Sequence, residues 1–186
     1  LEAWFAHIPG LVVVTPATPQ DNYSLLKAAL ASGDPVVYME HKELWGVEGE
    51  VDRDAAIAIG SARTARTGDD LTIVTWSRGL QPCLEAAEAL GAGGRSAEVI
   101  DLRSLWPWDR DAVLASARRT GRLLVVHEAV QAAGFGAEVV ATVAEAITIP
   151  VRRLGAPRIP VGYSRPLEDV SRIGVAQIVE AANAFF

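Results

Sequence analysis

The fold is decided by the stretch Thr120–Ala129, which has the sequence TGRLLVVHEA. Its apolar residues, Leu123–Val126, follow one another without a polar residue between them, so both faces of the strand must be covered. Such a strand is typical of a parallel sheet with helices packed on both sides. The stretch therefore predicts a central strand of an α/β sheet. It also places His127 and Glu128 at the carboxyl end of that strand, where open α/β sheets form ligand sites.

Strand and helix patterns alternate on either side of this stretch, as expected for a doubly wound, three-layer α/β/α unit. The expected strands cover about Ile59–Ala65, Leu71–Trp76, Ser96–Leu102 and Pro150–Leu154. The expected helices cover about Gln81–Leu90, Asp109–Arg119, Gly136–Ala146 and Gly174–Phe185.

Residues 1–45 predict part of a second α/β unit. Strands are expected at Leu11–Val14 and Val36–Met39, with a helix between them that Asp21 caps. In the residues that follow, 46–57, charged residues and glycines are frequent. This change in composition indicates a linker over residues 46–57 and a complete domain over residues 58–186.

The composition excludes several classes of protein. The 186 residues include 17 basic and 23 acidic ones, and the net charge of −6 argues against a nucleic-acid partner. No apolar run approaches the length of a membrane-spanning helix, so a membrane partner is not expected. The single cysteine, Cys83, excludes an internal disulfide and a multi-cysteine zinc site, and its apolar helical surroundings indicate a small core residue.

Few side chains indicate chemistry by their pattern alone. Because adjacent strand residues point to opposite faces, His127 and Glu128 cannot act as a pair, and His127 has either a packing role or a functional one. Gly134-Phe135-Gly136 resembles the start of a phosphate-binding loop, but its third glycine is missing, so close helix packing is the better account. No G-x-S-x-G elbow or metal-ligand histidine spacing is present. The residues by themselves therefore predict a fold and no reaction.

Eight segments together resemble one family, the beta subunits of thiamine-diphosphate-dependent 2-oxo acid dehydrogenases. Four resemble the second half of the pyrimidine-binding domain: LEAWFAHIPGL (1–11), TPATP (15–19), LLKAA (25–29) and DPVVYMEHK (34–42). Four resemble the transketolase-type C-terminal domain: IDLRSLWPWD (100–109), TGRLLVVHEA (120–129), GFGAE (134–138) and PLED (166–169).

The resemblance implies a decarboxylating component that oxidatively decarboxylates a 2-oxo acid and acylates the lipoyl group of a partner acyltransferase. In this family an alpha subunit and a second beta subunit complete a heterotetramer, and thiamine diphosphate with magnesium lies between alpha and beta. The family's cofactor-contacting glutamate and the histidine of its H-S-Q segment would both precede Leu1. We therefore expect no catalytic or cofactor-binding residue in this chain, and no activity from the chain alone.

Two sets of residues are carried over from the family. A structural potassium site corresponds to the turn formed by Ala29, Leu30, Ser32 and Asp34, although Ser32 stands where relatives often have acidic or amide side chains. Contacts to the basic subunit-binding domain of the acyltransferase correspond to Glu168, Asp169 and the carboxylate of Phe186. A solvated acidic loop and a frayed terminus are the alternative for this second set.

The substrate and setting are less closely specified. The segments Trp106–Asp109 and Thr120–Leu123 favour the branched-chain type over the pyruvate type. The composition, rich in Ala, Arg and Val, suggests a bacterial cytoplasm, and a eukaryotic relative would lie in the mitochondrial matrix.

Two alternatives to the dehydrogenase assignment stay open. One is a non-catalytic assembly module, and the other is a different transketolase-like enzyme, for which basic side chains that bind a phosphorylated sugar would be needed. Trp4, Phe5 and Ile8 lack visible apolar partners in the sequence. We therefore expect the chain to be a fragment that exposes this face and self-associates, whereas an evolved module would be monodisperse.

Overall fold

The computed structural model describes every residue from Leu1 to Phe186. Eight strands form two sheets: Val12–Val14 (β1), Val36–Tyr38 (β2), Arg63–Arg66 (β3), Leu71–Thr75 (β4), Ala97–Asp101 (β5), Ser104–Trp106 (β6), Leu123–Val130 (β7) and Val151–Ala156 (β8). Seven α-helices accompany them: Glu2–Ala6 (α1), Pro19–Ala31 (α2), Leu80–Ala92 (α3), Arg110–Thr120 (α4), Gly136–Ala146 (α5), Arg165–Asp169 (α6) and Val175–Asn183 (α7).

The larger sheet has the strand order β3-β5-β4-β7-β8. Strands β5, β4, β7 and β8 run parallel to one another. The buried apolar residues Leu123–Val126 belong to β7, which lies inside the sheet as expected. Helices α3 and α7 contribute to the apolar core on one face, and α4 and α5 contribute to the core on the other. The predicted three-layer α/β/α unit is confirmed. One edge differs, because β3 begins at Arg63 rather than near Ile59 and pairs antiparallel with β5.

The smaller sheet has the order β2-β1-β6 and joins the two parts of the chain. Its parallel pair β1 and β2 was expected, but β6 comes from the second part and pairs antiparallel with β1. The main-chain amide of Thr15 also donates to the carbonyl of Arg103 at 2.8 Å. Unlike β1 and β2, the segment Ser104–Trp106 has no β-branched apolar residues, so β6 could be recognised only in three dimensions.

Helix α2 begins earlier than its sequence suggested. Thr18, not Asp21, is the N-cap residue, and its hydroxyl accepts a hydrogen bond from the amide of Asp21 at 3.1 Å. The Asp21 carboxylate in turn accepts from the amide of Thr18 at 3.1 Å. This reciprocal capping box, with Pro19 in the first turn, makes Asp21 the third helical residue. Helix α1 was not predicted, because five residues are too short for a clear periodicity.

Residues 46–57 contain no helix or strand and lie along α2 through polar contacts. Gln20 donates to the carbonyl of Asp52 at 3.0 Å and accepts from its amide at 2.7 Å. Ser24 donates to the carbonyl of Ala55 at 3.0 Å. The division into residues 1–45, 46–57 and 58–186 stays a prediction.

Apolar side chains near the first residue are partly uncovered. Trp4 is 73% exposed and Ile8 is 47% exposed, whereas Phe5 packs against the core between the larger sheet and α4 and α5. None of the helices combines the length and the apolar character needed to cross a membrane.

Candidate functional site

A cleft lies where the carboxyl ends of strands from both sheets meet. It encloses about 220 Å³ and is lined by residues that follow β1, β2 and β4, by Glu128 and Ala129 in the last part of β7, and by the first residues of the chain. Its polar lining residues are Glu2, Thr15, Glu40, His41, Ser77, Arg78 and Glu128. This position agrees with the rule that open α/β sheets form their sites beyond the carboxyl ends of the strands.

His41 and Glu128 are within hydrogen-bond distance of each other in this cleft. The Nε2 atom of His41 lies 2.8 Å from Oε2 of Glu128, and its Nδ1 atom accepts a hydrogen bond from the amide of Glu43 at 3.2 Å. Both ring nitrogens therefore have partners. The sequence indicates Glu128 as a candidate but not His41, because the two residues are far apart in the chain and share no spacing motif.

Ser77 stands at a strained strand-to-helix turn in the same cleft. Its φ of 51° lies in the left-handed region, which a residue with a side chain seldom adopts. Gly79 allows the turn to approach β4, since a Cβ atom there would lie 2.3 Å from the Thr75 hydroxyl. The turn resembles that of serine hydrolases, yet both nitrogens of the neighbouring His41 are engaged. The geometry therefore does not form a nucleophilic triad.

His127 points away from the cleft into the interior and is only 1% exposed. Its ring stacks on Trp76 with the centroids 5.3 Å apart and the planes 13° apart, and neither ring nitrogen has a hydrogen-bond partner. Three glycines enclose it, because a Cβ atom on Gly134, Gly136 or Gly155 would lie 2.6–2.7 Å from a ring atom. Burial lowers the pKa of His127, although the Glu2 carboxylate opposes this shift. The arrangement is one of close packing, in which the glycines of the 134–136 segment receive a ring rather than a phosphate.

Trp76 links this interior to the cleft. Its indole N–H donates to Oε1 of Glu2 at 3.3 Å, so the stack under the cleft also holds the first turn of α1. The sequence carried no sign of this connection.

Two buried aspartates and two arginines form a second cluster, which we call the boundary quartet: Asp21, Arg63, Asp101 and Arg103. Burial, followed by the Asp21 carboxylate, raises the pKa of Asp101 to about 7, although Arg63 and Arg103 oppose the shift. No local pattern in the sequence reveals the quartet, because its members come from α2, β3, β5 and the bend that follows β5.

The turn proposed for potassium shows ordinary helix capping. The carbonyl of Ala29 accepts from the amide of Ser32 at 3.2 Å, and the Ser32 hydroxyl accepts from the amide of Asp34 at 3.2 Å. Leu30 is 81% exposed and Asp34 is also exposed. The potassium site stays a prediction.

The proposed partner-binding residues are held by arginines of the same chain. Arg172 lies 2.9 Å from Glu168 and 3.7 Å from Asp169. Phe186 presents its ring to Arg95 and Arg122, whose guanidinium carbons lie 4.4 and 4.5 Å from the ring centroid. The two acidic residues at the end of α6 are thus partly neutralised, and the Phe186 ring contacts two arginines while it is 48% exposed. The docking role of these residues stays a prediction.

The chain has neither a reactive cysteine nor a cluster of metal-binding side chains. Burial raises the pKa of the Cys83 thiol to about 12, so this residue is an unreactive part of the core. No three acidic, cysteine or histidine side chains come together in a way that could hold a metal ion.

Two α/β units joined by a shared sheet, with a cleft at their carboxyl ends, define the class of protein as transketolase-like. The family profile "Transketolase, C-terminal domain" matches residues 60–178, and "Transketolase, pyrimidine binding domain" matches residues 1–47. The chain belongs to this transketolase family. A solved structure entitled "Split gene transketolase, inactive beta4 tetramer" superposes with a TM-score of 0.88 at 28% identity, covering 99% of this chain and 60% of that one.

Beta subunits of dehydrogenases are similar in sequence along almost the whole chain. The beta subunit of acetoin:2,6-dichlorophenolindophenol oxidoreductase from Cupriavidus necator is 44% identical over 96% of this chain and 54% of its own length. The mitochondrial pyruvate dehydrogenase E1 subunit beta-2 of Oryza sativa subsp. japonica is 40% identical over 97% of this chain and 50% of its own. The 2-oxoisovalerate dehydrogenase subunit beta of Bacillus subtilis is 40% identical over 98% and 58%.

These matches confirm the resemblance drawn from the sequence. The chain spans about half the length of the curated relatives it matches.

Proposed function

We propose that this chain is the C-terminal part of the beta subunit of a 2-oxo acid dehydrogenase decarboxylating component, and that this part serves subunit assembly and partner docking. One observation carries the proposal. The beta subunits of a rice pyruvate dehydrogenase and of the Bacillus subtilis 2-oxoisovalerate dehydrogenase are each 40% identical over at least 97% of the chain, across both of its α/β units. A split-gene transketolase shares the fold at only 28% identity, which favours the dehydrogenase over a sugar-transferring enzyme.

The full component would use thiamine diphosphate with magnesium, but residues 1–186 do not fit this cofactor by themselves. In the cleft, Glu128 is paired with His41, Glu2 with Trp76 and Arg78 with Glu43. No acidic cluster could hold the magnesium ion. No catalytic step is therefore assigned to this chain.

The residues of this chain instead stabilise the contact between its two units. The shared sheet and the boundary quartet hold the two units together, and Glu43 pairs with both Arg78 and Arg172 across the same boundary. The partners we propose are an alpha subunit, a second beta subunit and a lipoyl acyltransferase, in a bacterial cytoplasm.

Turnover measurements test the enzyme assignment. The chain alone, supplied with thiamine diphosphate, magnesium, a 2-oxo acid and 2,6-dichlorophenolindophenol as acceptor, should reduce no dye. A chimera in which this chain replaces the matching part of the Bacillus subtilis beta subunit should reduce the dye when its alpha subunit is added. The unmodified pair is the control. A chimera that binds the alpha subunit but is inactive would support the assembly-module alternative, and turnover by the isolated chain would contradict the proposal.

Calorimetric titration with the subunit-binding domain of an acyltransferase tests docking. We expect the double variant Glu168→Gln, Asp169→Asn to bind at least tenfold more weakly, whereas Glu145→Gln, an exposed acidic change on α5, should bind as the wild type does. Arg172→Gln should bind more tightly, because Arg172 no longer competes for the two carboxylates. Equal affinity of the double variant and the wild type would exclude these residues from the interface.

A further inference from the structure

The boundary quartet spans the contact between the two units. Asp21 lies on α2, within the segment matched by the pyrimidine-binding profile, and the three other members lie within the segment matched by the C-terminal profile. The side chain of Asp21 is 1% exposed and that of Asp101 is fully buried. Such a cluster places two carboxyl groups inside the boundary, where charge is costly unless it is paired.

One nitrogen atom serves both carboxyl groups. The Nη2 atom of Arg63 lies 3.2 Å from Oδ2 of Asp21 and 3.0 Å from Oδ2 of Asp101. The Nη1 atom of Arg103 lies 3.5 Å from Oδ1 of Asp21, and its side chain also donates to the carbonyls of Ser61 and Ala62. Because the two carboxyl groups share a donor, they lie close together and repel each other when both are ionised.

The remaining neighbours of Asp101 supply little compensation. The amide of Arg103 donates to its Oδ1 atom at 3.2 Å. Cys83 approaches from α3 as a thiol, and the buried hydroxyl of Thr75 lies beside this thiol on β4. Burial and the Asp21 carboxylate therefore outweigh the two guanidinium groups, and the pKa of Asp101 is raised to about 7.

We propose that the boundary quartet is a pH-sensitive latch, in which Asp101 takes up a proton when α2 docks on the C-terminal domain. When α2 leaves, the Asp21 carboxylate leaves with it and Asp101 gains access to water. Both changes lower the proton affinity of Asp101. The docked state therefore binds more protons than the undocked state, and docking tightens as the pH falls through neutrality.

The size of the effect follows from the titration of one group. With a docked pKa of about 7 for Asp101, the docking equilibrium constant should increase about tenfold from pH 8 to pH 6. The inference does not depend on the proposed function, because it concerns the contact between two units of this chain.

Hydrogen exchange of the whole chain tests the latch. Protection factors of the α2 amides, corrected for the intrinsic pH dependence and referred to those of α4, should be about tenfold higher at pH 6 than at pH 8. Asp101→Asn, which mimics the protonated group, should abolish this difference. Glu98→Gln is the matched control, since Glu98 is a buried carboxylate on the same strand that pairs with Arg119 at 2.6 Å, away from α2. The same pH dependence in Asp101→Asn and in the wild type would overturn the proposal.

A measurement on the unchanged protein does not rely on the variant folding. The side-chain carboxyl carbon of Asp101, followed by NMR, should titrate with a midpoint near 7, and Asp21→Asn should lower that midpoint by removing the neighbouring charge. A wild-type midpoint below pH 5 would show that no proton is taken up near neutrality and would reject the latch.

Discussion

Single residues in this protein are constrained mainly by what surrounds them in space. His127 illustrates this, because its neighbours in the sequence are a valine and a glutamate, while its neighbours in the fold are Trp76 and three glycines. A histidine at the carboxyl end of a central strand would ordinarily be a candidate ligand. Here the side chain beside it, Glu128, is the one that reaches the cleft.

The close packing of three glycines around His127 predicts that adding a side chain there lowers stability. Gly155→Ala should destabilise the protein by about 1–3 kcal/mol, because overpacking a close-packed interior forces shifts in the surrounding atoms. Its Cβ atom would lie 2.7 Å from the His127 ring and 2.9 Å from the main chain of residues 129 and 131. Urea unfolding measures the change. Gly46→Ala, where nothing lies within 4 Å, is the control and should change stability far less.

The buried imidazole predicts a pH dependence. Since burial lowers the pKa of His127 below the ordinary 6.5, the unfolded chain binds the proton more readily than the folded one. His127 therefore costs stability as the pH falls below about 6.5, by at most about 1.4 kcal/mol per pH unit. His127→Leu should remove this slope, measured as the difference between the two proteins in unfolding free energy at pH 7 and pH 5. Parallel curves for the two proteins would contradict the assignment.

At the scale of an element, α2 shows how local signals place a boundary. Its N-terminus is set by Thr18 and Asp21, which satisfy each other's main-chain amides, and by Pro19, whose missing N–H costs nothing in the first turn. Its far end relies on ordinary capping around Ser32. Between these ends, the main chain of residues 52–55 covers one side of the helix through hydrogen bonds with the side chains of Gln20 and Ser24.

The capping box makes α2 sensitive to Thr18. Thr18→Ala should lower the free energy of unfolding by about 1 kcal/mol, since the first-turn amide of Asp21 loses its acceptor. Thermal unfolding followed by circular dichroism measures the loss. Thr67→Ala, in a segment without helix or strand, is the matched control and should leave the midpoint almost unchanged. An equal loss of stability in both variants would show that the capping hydrogen bond makes no specific contribution to stability.

At the scale of the molecule, the chain has apolar surface that its own residues do not cover. Trp4, together with Leu1, Ile159 and Val161, lines a groove of about 520 Å³ beside α1, and Trp4 itself is 73% exposed. Large exposed apolar patches are uncommon on monomeric soluble proteins and mark contact surfaces.

This surface predicts self-association of the isolated chain. Sedimentation velocity should show species larger than 19.8 kDa at micromolar concentration, and Trp4→Gln should weaken the association at least tenfold, as expected for an aromatic residue central to a contact. Trp45→Gln changes another exposed tryptophan, which lies on a different surface, and serves as the control. A monodisperse wild-type chain would favour the alternative of an evolved assembly module.

The sequence by itself determined the α/β class, the central strand at Leu123–Val126, most helices and the family, because apolar periodicity and consecutive motifs are local properties. Only the tertiary structure decided the third strand of the smaller sheet, the pairing of His41 with Glu128, the glycine enclosure of His127 and the boundary quartet. These features join residues that are distant in the chain. Their energies depend on burial and on distances between side chains, which no local pattern of residues contains.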